Sequence, residues 1–126
     1  MKRIIALTAV ILLLMITCDN QKVVDDSKYY CDAPTGVVAT KMSNESIHLT
    51  WNEVSGFGYY EISVRTNLDS ADTRRHIDTT RDTSYDDFLY YSSPDVTTLY
   101  YYVKTHPRKA GYIASDWSYP ASVNVR

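Results

Sequence analysis

Histidines, cysteines and aspartates are the residues of this chain with the chemical means to catalyse or to ligate. His48, His76 and His106 fall on different expected elements. His48 should face outward from a strand, and His106 should sit in the loop before the last strand. A hydrolytic triad needs a nucleophile, a base and an orienting group brought together. No Ser or Cys here stands in the setting of a nucleophile elbow or a papain-like site. Asp82, Asp86 and Asp87 lie close in sequence, and Asp69 and Asp72 form a second acidic stretch. Calcium needs about six to eight oxygens in one place, and the loop signature with its central Gly is missing. These acids therefore read as solvated turn residues. Neither cysteine has zinc-ligand spacing around it. The residues argue against an enzyme and imply no metal and no cofactor. Asn44-Glu45-Ser46 forms an N-glycosylation sequon in an expected turn, relevant only in a eukaryotic source.

The sequence opens with a basic start, Met1-Lys2-Arg3, followed by an uncharged apolar run from Ile4 to Thr17. This is the pattern of a secretory signal over 1–17. The run is too short to cross a hydrocarbon core, which needs about 17–25 residues. Cys18 follows directly. A cysteine in that place resembles the bacterial lipoprotein signal, in which it becomes the lipidated first residue of the mature chain. Met15 and Thr17 stand where that family prefers Leu and a small residue. The resemblance implies attachment to a membrane through lipid on Cys18 and a place in the cell envelope; ordinary secretion and an uncleaved anchor are the alternatives. Acylation of Cys18 would leave Cys31 without an intramolecular partner, as a linker thiol or an intermolecular link. A disulfide between them needs Cys18 retained and unmodified. The polar, acidic stretch over 18–33 reads as a flexible tether.

At 126 residues there is room for one domain. A folding unit of about 90 residues buries roughly 60–70% of its unfolded surface, enough for a modest core but not for a deep cleft between lobes. The net charge is −2, and losing Lys2 and Arg3 makes the remainder more acidic. That balance lacks the basic footprint of a nucleic-acid binder.

Tyr is over-represented, with 12 residues, and suits pleated, half-buried surfaces. After Pro34 no apolar period of 3.6 persists over helix length. Short β-rich runs recur between turn residues instead. Ile47, Leu49 and Trp51 alternate with His48 and Thr50. Tyr60, Ile62 and Val64 alternate with Tyr59, Glu61, Ser63 and Arg65. Leu99, Tyr101 and Val103 alternate with Tyr100, Tyr102 and Lys104. Further strands are expected near 34–40, 73–78 and 84–86, with a last one at Val123 and Val125.

Four features in order resemble the fibronectin type III family. They are Ala33-Pro34…Val37…Ala39, Ile47-x-Leu49-x-Trp51, Gly58-Tyr59-Tyr60-Glu61-Ile62-x-Val64-Arg65, and Gly111…Ser115-x-x-Ser118. They cover 34–126. The resemblance implies an all-β, immunoglobulin-like antiparallel sandwich of seven strands, with Trp51, Ile47, Leu49, Tyr60, Ile62, Val64, Tyr101 and Val103 in its core. One departure stands out: Leu99 occupies the position where the family carries a Tyr whose hydroxyl closes a corner. In such a fold the strands holding Tyr59 and Tyr100 are neighbours. Tyr59, Tyr100 and Tyr102, extended by Trp117, would then form a stacked outward patch for a protein or carbohydrate ligand, or pair across the strands and only stabilise the sheet. The expected function is a non-catalytic interaction module. The alternatives are a structural spacer of the envelope, or an accessory domain assisting a separate hydrolase.

Overall fold

The computed structural model describes residues 23–25, 28–70, 72–88 and 93–126. The leader and Cys18 lie outside them. Ten strands are present among the described residues: β1 (Val23–Asp25), β2 (Lys28–Tyr30), β3 (Val38–Lys41), β4 (Ile47–Thr50), β5 (Phe57–Thr66), β6 (Arg75–Thr80), β7 (Ser84–Asp87), β8 (Thr98–Pro107), β9 (Tyr112–Ile113) and β10 (Ala121–Asn124). The seven sandwich strands form two antiparallel sheets, β3-β4-β7 and β10-β8-β5-β6.

Alternation decides which face meets the core. On β5 and β8 the register pairs Tyr60 with Thr105, Ile62 with Val103, and Val64 with Tyr101. All six are buried. Ile47 and Leu49 of β4 meet them from the other sheet, with Trp51, Val54, Val96 and Leu99 completing the cluster. The eight residues expected in the core are all buried. The Trp51 indole packs edge-on to the Tyr60 ring, and Phe57 stacks on that ring at 4.8 Å.

The Tyr60 hydroxyl accepts the Val54 N–H at 3.0 Å inside this core. Burial raises the Tyr60 phenol above its ordinary 10.0; the Val54 N–H opposes the rise and the Glu53 charge adds to it. A phenol raised by folding contributes stability that is complete below the unfolded value. That contribution is lost as pH climbs through the folded value. Tyr85, raised by burial and by Asp78, acts in the same direction. Denaturation midpoints should therefore fall as pH rises above about 10. Tyr60→Phe should flatten that fall, and an unchanged alkaline slope would remove Tyr60 as its source.

Turn chemistry sets the ends of β5. Gly56 takes φ 74°, a left-handed conformation that suits a residue without Cβ. A bulge follows between Phe57 and Tyr59. At Gly58 an added Cβ would lie 2.7 Å from the Pro107 carbonyl oxygen, inside contact distance. At the far end, Asn67 clamps the approach to β8. Its Oδ1 accepts the Thr97 and Thr98 N–H groups, and its Nδ2 donates to the Asp95 carbonyl.

Several expectations are corrected. His106 lies on β8, not in a loop, because the strand continues to Pro107. Asp87 is not a solvated turn acid. It is buried on β7 and accepts the Tyr101 hydroxyl at 2.6 Å. Leu99, buried at the corner position, has no hydroxyl to bond, and that hydroxyl of Tyr101 is what joins β8 to β7. The stretch expected as a tether carries β1 and β2, and β2 runs parallel to β9. Cys31 follows β2, donates its N–H to the Ile113 carbonyl at 3.0 Å and is 5% exposed. It is disulfide-bonded and so is not a linker thiol.

Candidate ligand-binding surface

The four residues expected to form one aromatic patch lie on one sheet face but do not form one stack. Across β5 and β8, Tyr59 pairs with His106, Glu61 with Lys104, Ser63 with Tyr102 and Arg65 with Tyr100. Antiparallel register thus puts Tyr59 and Tyr100 at opposite ends of the row. Four residues of strand, about 13 Å, separate the level of Tyr59 from that of Tyr102.

At the Tyr100 end, cations lie between the rings. The Arg65 guanidinium sits 4.0 Å over Tyr100, and its Nε donates to the Tyr102 hydroxyl at 2.8 Å. Arg74 lies 4.6 Å from the Tyr102 ring and 5.7 Å from Trp117, and the Lys104 ammonium lies 4.4 Å from Trp117. Each such contact is worth about 0.5–1 kcal/mol when exposed. Trp117 is brought to this layer by its flanking serines. Ser115 and Ser118 donate their N–H groups to the Thr105 and Val103 carbonyls and accept the N–H groups of the same residues on their hydroxyls. Tyr102 is 6% exposed. The layer stabilises the sheet and leaves little ring surface for a ligand.

The Tyr59 end differs. Tyr59 is 39% exposed. Its ring lies 4.4 Å from the His106 imidazole at 6°, almost parallel. His106 is held in turn by Glu61, Nε2 to Oε1 at 2.8 Å, and Glu61 also faces His76 at 3.5 Å. The platform is therefore fixed from beneath. Two shallow grooves border Tyr59. One, of about 430 Å³, is lined by Tyr59, Thr79, Thr80 and Arg81. The other, of about 420 Å³, is lined by Phe57, Gly58, Tyr59, Arg81, Pro107 and Arg108.

Glu61 was readable as outward on β5, but its two histidine partners required the strand pairing. Arg81 carried no signal beyond exposed charge, whereas Arg108 and Lys109 stand in the sequence as charged candidates in the expected last loop. Among the described residues no cluster of three His, Cys, Asp or Glu is placed to hold a metal ion. His48 pairs with Asp86 on the opposite sheet, apart from the other two histidines.

No protein-family model and no curated protein matches the chain. Solved structures do. The chain is similar to an FN3tt mutant, with 26% identity, a TM-score of 0.57, and coverage of 75% of this chain and 94% of that one. It is similar to FN3tt, with 21% identity, a TM-score of 0.54, and coverage of 74% and 91%. It is also similar to a chain of a cytokine receptor complex, with 15% identity and a TM-score of 0.59, covering 75% of this chain and 51% of that one. With three strands packed on four around Trp51 and these structural neighbours, the chain has the fibronectin type III fold.

Proposed function

We propose that the chain is an exported, non-catalytic interaction module that meets a protein or glycan through the Tyr59 end of its four-stranded sheet. One observation carries this reading. Of the four expected contact residues, Tyr59 borders two open grooves, whereas Tyr100, Tyr102 and Trp117 are engaged by cations. Rigid aromatic residues with a polar tip supply contact area at low entropic cost.

Export is supported by the leader and by the disulfide at Cys31, since disulfides persist in oxidising compartments. Cys18 is the only other cysteine of the sequence. One sulfur cannot carry both a lipid thioether and a disulfide. An intramolecular bond would make the chain secreted and oxidised, whereas an intermolecular one leaves Cys18 open to a lipid anchor. Intact mass of the exported protein separates the two. The oxidised chain should gain two hydrogens on reduction and stay in the aqueous phase. An acyl mass increment with detergent partitioning would overturn the secreted reading.

Binding of the purified exported protein to glycan and protein arrays tests the contact face. Tyr59→Ala should abolish hits that a Tyr100→Ala variant retains. Equal binding by both variants would remove the face assignment. Co-purification with one fixed partner and no array hit would favour a spacer role instead.

A further inference from the structure

We infer that the Tyr59 grooves select an acidic sugar, a pyranose ring bearing a carboxylate; this rests on the contact-face reading above. The platform has the form such a ring needs. Sugars stack their C–H faces on aromatic rings, and the Tyr59 ring is held in plane by His106, which Glu61 holds in turn. Each groove falls in the volume range of small-ligand sites, about 300–1,000 Å³, and is lined by few residues. The grooves are open, so a sugar ring would lie on Tyr59 at their rim rather than be enclosed.

The charge around the platform sets the ligand's sign. Arg81 lines both grooves, and Arg108 lines the second. Both side chains are exposed, and neither is in an ion pair among the described residues. Two guanidiniums beside one ring on a chain of net charge −2 make a local cationic site. Guanidinium recognises carboxylate through paired hydrogen bonds. No nearby acid, Asp82 included, forms an ion pair with either guanidinium among the described residues. Glu61 is engaged by His106 and His76. Glu53 lines a neighbouring recess with Arg108 without an ion pair between them among the described residues. Thr79, exposed and opposite Glu61 in the register, adds a hydroxyl to the rim for sugar oxygens.

The experiment is titration of the exported full-length protein with three probes: a galacturonate trisaccharide, the neutral galactose trisaccharide and an oligoglutamate peptide. The uronate should bind at least about tenfold more tightly than the neutral sugar. Arg81→Gln combined with Arg108→Gln should remove that preference while leaving the melting temperature unchanged. Tyr59→Ala should weaken both sugars together. Equal affinity for the two sugars would overturn the inference, as would tighter binding of the peptide or no sugar binding. A ligand found on arrays and lost with Tyr59→Ala, in a protein that ignores the uronate, sinks the acidic-sugar inference and spares the contact face. Binding of any ligand unaffected by Tyr59→Ala sinks both.

Discussion

Trp51→Ala should leave the protein mostly unfolded at room temperature, with no cooperative melt near the wild-type midpoint. Trp51 is 5% exposed and sits where the two sheets meet. Its indole packs at 5.4 Å against Tyr60, and its N–H on the main chain donates to the Thr83 carbonyl. Truncating a buried Trp costs about 3–5 kcal/mol, and small domains have about 5–15 kcal/mol to lose. The lower end of that range fits a domain of this size. The Tyr60–Phe57 stack would lose one wall at the same time. Trp51→Phe sharpens the test. The indole Nε1 is buried without an acceptor among the described residues. Phe keeps an aromatic ring and removes that unpaired donor. It should therefore melt cooperatively, well above the Ala variant. Similar melts for Ala and Phe would show that the ring does not pin the sheets.

Tyr101→Phe should lower stability by about 1.5–3 kcal/mol, the usual worth of a hydrogen bond to a charged group. At about 4–8 °C per kcal/mol for a domain of this size, the melting temperature should drop by roughly 6–24 °C. The phenol donates to Asp87 Oδ2 at 2.6 Å, with Tyr101 at 0% and Asp87 at 2% exposure. Phe leaves the shape almost unchanged and takes a donor from a buried carboxylate. Combining Tyr101→Phe with Asp87→Ala tests the coupling. The double variant should lose clearly less than the sum of the singles. Strict additivity would mean that the bond contributes little.

The layers of the sandwich were legible because two long strands alternate without interruption. Tyr60, Ile62 and Val64, and then Leu99, Tyr101 and Val103, announce one face by period alone. What alternation does not carry is register between strands far apart in sequence. Tyr59 and Tyr100 were both correctly outward, yet pairing Tyr59 with His106 and Arg65 with Tyr100 puts them at opposite ends of the sheet. The cations between the rings were hidden for the same reason, since Arg74 reaches Tyr102 and Trp117 only once the fold is closed. Asp87 looked like a turn acid because its partner lies 14 residues away. The short strands before Cys31 have little apolar pattern of their own. β2 is defined by the neighbour it meets, β9, which is itself two residues long.

Gly58 has a consequence for how this surface can change over generations. Its backbone is pressed so closely against Pro107 that a side chain there would force β5 and β8 apart. The bed of the second groove is thus closed to variation. Novelty in what the cleft accepts must come from its banks, at positions 81 and 108, where exchange leaves the strand pairing intact. On the proposed contact-face reading, specificity can shift at those two positions while the scaffold stays fixed.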